Sequence, residues 1–140
     1  MKRRLLFVML FLILVLPVVS CARASAETHV SISCDDFTQH PKSIRNEFTI
    51  GIGDKVYVDL CSNPTTGFKW SYNMTGDSSV KQDTYSYNAP DTGLVGASGA
   101  ESWTFEGTQK GVATISFQYS QPWDGGTKDV REYLLTITVK

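Results

Sequence analysis

Apolar and polar residues alternate with a period of two in several separate stretches of this 140-residue chain. That period commits most of it to β-strands with one face turned to a core. Val30, Ile32 and Cys34 share one face, with Ser31 and Ser33 between them, and Val56, Val58 and Leu60 alternate with Tyr57 and Asp59. Ala113, Ile115, Phe117 and Tyr119 form a third face, and Tyr133, Leu135, Ile137 and Val139 a fourth. Shorter strand candidates are Phe48 to Ile50, Phe68 to Tyr72, Val80 to Tyr87 and Ser102 to Glu106. Turn signals separate them at Gly51-Ile52-Gly53, Gly76-Asp77, Gly107 to Gly111 and Asp124-Gly125-Gly126. No segment carries a convincing helical period. Seven or eight short strands in about a hundred residues predict an all-β fold, an immunoglobulin-like antiparallel β-sandwich, with a small closed barrel as the alternative.

The N-terminus has a different purpose. Lys2, Arg3 and Arg4 precede an apolar run of 15 residues from Leu5 to Val19 that contains Pro17 and ends in small residues. It is short for a membrane span and fits a cleaved signal peptide over residues 1–20. Two cleavage sites compete. Val18-Val19-Ser20-Cys21 resembles a bacterial lipobox, in which the Cys21 thiol receives a diacylglycerol, and Ala24-Ser25-Ala26 fits ordinary release after Ala26. The lipobox is favoured, because a Cys directly after an apolar segment and a Ser is otherwise a costly coincidence. The expectation is therefore an exported protein, lipid-anchored through Cys21 on the outer face of a bacterial membrane or secreted after Ala26. Residues 21–28 read as a tether and residues 29–140 as one domain.

Either cut leaves Cys34 and Cys61 alone in an oxidising compartment, where a disulfide is the default. Catalytic use of Cys61 has little support, since His29 and His40 both lie in the N-terminal arm. Removal of Lys2, Arg3 and Arg4 from the 13 basic residues leaves 10 against 14 acidic ones, a net charge of −4. That excess argues against nucleic acid as a partner. No metal-ligand cluster, phosphate loop or nucleophile-base pair is present in the pattern, and Asp35-Asp36 reads as a solvated strand end. No enzyme activity, cofactor or metal is expected.

Three loops carry the remaining information. Asn63-Pro64-Thr65-Thr66-Gly67 is stiff at both ends: Pro64 fixes its own φ and keeps Asn63 out of the helical region, and Gly67 permits a positive φ. Between these clamps, Thr65 and Thr66 make a small, rigid tip suited to insertion into something narrow. The plainer reading is a tight β-turn with Phe68 or Trp70 returning to the core. A second loop, Ala89 to Ala100, is long for a hairpin and holds Leu94, Val95, Gly96, Ala97, Ser98 and Gly99. Its glycines allow close backbone approach to another surface, and Leu94 and Val95 are either exposed or tucked beneath the loop. A third, Ser120 to Gly126, presents Gln121-Pro122-Trp123, with Trp123 either an interface anchor or a lid over the core. In an immunoglobulin-like sandwich the first and third share one end.

Together these loops resemble those of the chagasin family, immunoglobulin-like inhibitors of papain-type cysteine peptidases, over roughly Val30 to Lys140. The motif Asn-Pro-Thr-Thr-Gly-Phe stands intact at Asn63 to Phe68, and the aromatic pattern continues to Trp70. Gly96-Ala97-Ser98-Gly99 answers a Gly-x-Gly-Gly motif with Ser98 in place of a glycine. Gln121-Pro122-Trp123 answers Arg-Pro-Trp with the charge lost. The resemblance implies that Thr65 enters the cleft of a papain-like cysteine peptidase while the other two loops grip its rims, as a monomer covering roughly 800 Å² per partner. A turn held by Pro64 and Gly67 loses little entropy on binding, which suits an inhibitor. The rival reading is a cell-surface immunoglobulin-like adhesion or ligand-binding module using the same loops without a peptidase partner.

Overall fold

A computed structural model describes residues 24–39, 43–90, 94 and 96–140. The expected leader 1–20, the Cys21 acylation site, His40 and Val95 lie outside the described residues. Among the described residues, eight strands form two four-stranded sheets. In chain order they are β1 (Glu27–Ile32), β2 (Ser43–Ile50), β3 (Lys55–Ser62), β4 (Lys69–Gly76), β5 (Val80–Asn88), β6 (Gly99–Gly107), β7 (Gly111–Ser120) and β8 (Arg131–Val139). One sheet runs β1-β3-β6-β5 and the other β2-β8-β7-β4. Glu27 and Thr28, at the end of the expected tether, belong to β1.

The alternation does what the period requires. Val56, Val58 and Leu60 from one sheet meet Ala113, Ile115, Phe117, Leu135 and Ile137 from the other, all with no exposed surface. Each large apolar side chain buried in this way contributes ~1.5–3 kcal/mol relative to exposure. Phe117 stands among four rings, with centroids 5.0 Å from Trp103, 5.5 Å from Tyr72, 5.7 Å from Tyr133 and 6.0 Å from Phe105.

Strand direction is more varied than a wholly antiparallel sandwich. β3–β6, β5–β6, β4–β7 and β7–β8 are antiparallel, whereas β1 pairs with β3 and β2 with β8 in parallel. After β1 the chain crosses from one sheet to the other, so β1 and β2 are each added at an edge beside a strand running the same way. Such pairs need a crossover, not a hairpin.

That crossover contains a helical turn, α1 (Asp36–Gln39), where none was expected. Ser33 and Asp36 cap it reciprocally: Ser33 N and Oγ donate to Asp36 Oδ2 at 2.7 Å, and Asp36 N donates to Ser33 Oγ at 3.2 Å. This arrangement satisfies amides that the turn would otherwise orphan. Asp36 is thus a cap and not a solvated strand end, and Cys34 lies in the turn beyond β1 instead of on its inward face. Phe37 from α1 is buried against Trp70, at 5.6 Å between ring centroids. Because β1, β3, β5 and β7 all finish at the same end of the sandwich, α1 and the three singled-out loops gather there.

Candidate functional site

The central loop is a short 3-10 turn, Pro64–Thr66, in place of a plain β-turn. Asn63, at φ −128° and ψ 89°, caps it: its Oδ1 accepts from Thr65 N at 3.2 Å and from Thr65 Oγ1 at 2.6 Å. Thr66 donates to the Asn63 carbonyl through both N, at 3.1 Å, and Oγ1, at 2.6 Å. Gly67, at φ 78°, closes the turn by donating from N to the Pro64 carbonyl at 2.9 Å. Both threonine hydroxyls therefore donate inward, and Pro64, Thr65 and Thr66 remain exposed at the tip. A turn with its donors satisfied internally is pre-organised and has few ways to relax.

Each neighbouring loop is tied to this turn. From the second, the Gly96 carbonyl accepts from Asn63 Nδ2 at 2.7 Å. From the third, Gln121 Nε2 donates to the Thr66 carbonyl at 3.2 Å, while Gln121 Oε1 accepts from Thr127 N at 3.0 Å. The Trp123 indole lies so close to Gly67 that a Cβ there would overlap its ring. Trp123 is half exposed and sits on the turn, not over the core. Leu94 is 70% exposed, so at that position the second loop offers its apolar side chain outward.

Two departures from the motifs resolve locally. Ser98, exposed, has no positive φ, since Asp129 is the one non-glycine with positive φ among the described residues. The backbone here does not need a glycine at that position. Gln121 uses its amide as an internal brace between loops, a role for which its hydrogen-bonding groups suffice without charge. Gly99 proves to be the first residue of β6, opposite Ser62, and not part of the loop; a Cβ there would overlap the Asn88 carbonyl of β5.

The base of the turn is closed by residues outside the three motifs. Glu101, 3% exposed, accepts at Oε1 from Ser62 Oγ at 2.7 Å and from Trp70 N at 3.1 Å, and at Oε2 from Tyr85 OH at 3.0 Å. One carboxylate thus holds the chain on both sides of the turn and links the two sheets. Trp70 Nε1 donates to the Cys61 carbonyl at 3.0 Å, and Asn63 N donates to the buried Tyr119 hydroxyl at 2.8 Å. Phe68 stacks on Tyr119 at 5.4 Å, which gives it the structural role foreseen for it or Trp70. Cys34 and Cys61 form a disulfide with Cα atoms 5.2 Å apart, stapling the α1 crossover to β3 just before Asn63. No cluster of His, Cys, Asp and Glu able to hold a metal occurs among the described residues.

The sheets and loop cluster define an immunoglobulin-like β-sandwich that presents a rigid turn braced from both sides. The model of the chagasin family of peptidase inhibitors I42 matches residues 49–137, and the chain belongs to that family. It is a family of inhibitors and not of enzymes. The chain is 30% identical over 93 residues to chagasin of Trypanosoma cruzi, spanning 64% of this chain and 84% of that protein. To amoebiasin-2 of Entamoeba histolytica it is 27% identical over 92 residues, 65% of this chain and 75% of the relative. In fold it resembles the crystal structure of a cysteine protease inhibitor from Entamoeba histolytica, with a TM-score of 0.65 and 18% identity over 85% of this chain and 100% of the other.

Proposed function

We propose that this chain is a reversible inhibitor of papain-like cysteine peptidases that fills the catalytic cleft with Thr65 and Thr66. The supporting observation is the bracing of the turn Asn63 to Gly67 from both neighbouring loops, through Asn63 to Gly96 and through Gln121 and Trp123 to Thr66 and Gly67. A wedge already held in its bound shape gives up little freedom on association. The same stiffness opposes the extended conformation that a scissile segment must adopt, so the turn blocks without being cut. Leu94 and Trp123 are exposed apolar groups that flank the plug, and an aromatic anchor such as Trp123 is the kind of residue that dominates interface energetics. The backbone from Gly96 to Ser98 can offer hydrogen bonds to an extended rim segment.

The protein acts as a monomer in this reading. The leader motif supports export, with a lipid on Cys21 tethering the inhibitor to a membrane, or free release after cleavage following Ala26. Titration of papain and of a cathepsin L-type enzyme with the purified protein tests the function. Stoichiometric, reversible loss of hydrolysis is expected. Full activity of both enzymes at micromolar inhibitor would favour the adhesion reading.

A further inference from the structure

Beside the central turn, between Asn63, Thr66, Ser98 and the start of β8, the surface sinks into a shallow depression. Arg131 lines it. Its guanidinium lies 5.1 Å from the Phe37 ring centroid and 5.6 Å from that of Tyr119, and Nη1 reaches Cys34 Sγ at 3.8 Å. Among the described residues Arg131 makes no ion pair with a carboxylate. Aromatic stacking instead holds the cation half-buried and in a fixed orientation. Three hydroxyls line the same depression, and that of Thr66 is already spent on the Asn63 carbonyl. Tyr119 OH accepts from Asn63 N, which leaves its own proton to donate, and Ser98 is exposed. The cations and amides nearby are otherwise engaged: Lys128 Nζ donates to the carbonyls of Gln121 and Trp123, and the Gln121 side chain faces Thr66 and Thr127.

We infer that this depression is a carboxylate-binding site, with Arg131 as a specificity-determining residue that receives an Asp or Glu side chain from the rim of the target peptidase. The inference rests on the inhibitor reading above and adds to it a charge preference among targets. A carboxylate is acceptor-only, and Arg131, the Tyr119 hydroxyl and the Ser98 hydroxyl are the donors left to meet it, in a lining otherwise made by Phe68, Val130 and Cys34 and by Asn63 and Thr66, whose side-chain donors are engaged within the loops. The guanidinium fork matches two carboxylate oxygens, and its weak hydration makes it easier to desolvate at an interface than an ammonium group. Position completes the case: Asn63 and Thr66 border both the plug and the depression, so an acidic group entering it stands next to the filled cleft.

The test has two arms on the whole protein. In the first, acetate is titrated into the free protein while the Arg131 side-chain nitrogen resonances are followed by NMR; a saturable shift at Arg131 is expected, and no response overturns the site. In the second, Arg131→Gln, Arg131→Lys and Ser98→Ala are compared with wild type against papain and the cathepsin L-type enzyme at low and high salt. For the enzyme inhibited more strongly, Arg131→Gln should weaken inhibition roughly tenfold and flatten its salt dependence. Arg131→Lys should recover only part, because lysine lacks the fork, and Ser98→Ala, at an exposed position, should show a smaller loss in a fully folded protein. Unchanged inhibition and salt slope for all three variants against both enzymes would overturn the charge preference while leaving the inhibitor reading intact. Failure of the wild type to inhibit either enzyme would remove both.

Discussion

The indole of Trp123 packs directly on the bare Cα of Gly67. Gly67 therefore meets two demands, a left-handed backbone at φ 78° and the absence of a side chain under the Trp ring. Gly67→Ala should cost about 1–2 kcal/mol of stability from the backbone alone and displace Trp123. Trp123→Ala, at a half-exposed position, should barely change the melting temperature yet weaken inhibition by on the order of 2 kcal/mol. The double mutant should lose less affinity than the sum of the two, because they share one contact. Strict additivity of the inhibition constants would contradict the brace.

Glu101 offers a second handle on the same turn, from below. Glu101→Ala leaves Ser62 Oγ and Trp70 N without their acceptor in a buried setting, at a cost of about 2–4 kcal/mol. Glu101→Gln keeps an oxygen where Oε1 stands, so it should recover most of both stability and inhibition. The alanine variant, checked as folded by circular dichroism, should also be cut within residues 63–67 on long incubation with papain, which mass spectrometry reads directly. An intact alanine variant with wild-type inhibition would show that the carboxylate does not position the turn.

The disulfide yields a third expectation. Thiol counting on the purified protein from residue 27 onward should find none free. Reduction, or replacement of Cys34 and Cys61 by Ser, should lower stability by about 2–4 kcal/mol. Inhibition should weaken too, since Cys61 is the residue whose carbonyl holds Trp70. Equal denaturation midpoints with and without reductant would contradict this.

Alkaline pH should destabilise the fold through Tyr133. The residue is fully buried, and burial pushes its phenol well above the ordinary value. A group that holds its proton more tightly when folded contributes stability that is present below the unfolded value of about 10 and lost as pH rises beyond it. Tyr133→Phe should flatten this loss while costing little at neutral pH, because the Tyr133 hydroxyl has no hydrogen-bond partner among the described residues. Tyr57 and Tyr85, also raised, mainly by burial, should leave a residual slope. Urea midpoints of the two proteins between neutral and strongly alkaline pH would show it.

Strand faces were legible where alternation was strict: Val56 to Leu60, Ala113 to Tyr119 and Tyr133 to Val139 all turn inward as their spacing requires. Strand direction was not, because period two identifies a face and says nothing of the neighbour's polarity. The α1 turn escaped because four residues are too few to show a helical period. At the site, the stiffness of Asn63 to Gly67 could be read from Pro64 and Gly67. Its ties to Gly96 and Gln121 join residues 33 and 55 positions apart, which local patterns do not encode. Glu101 left a usable signal: it alternates with Trp103 and Phe105 on one inward face, where a carboxylate demands partners. Arg131, two residues before the buried Tyr133, left the same one.

Protection of the peptidase's catalytic thiol tests the central claim most directly. With papain in stoichiometric complex, the rate of alkylation of its active-site cysteine by iodoacetamide should fall to the rate at which the complex dissociates, and the inhibitor should be recovered uncut between Asn63 and Gly67. Alkylation at the rate of free papain within a complex that demonstrably persists would place the turn outside the cleft and contradict the account.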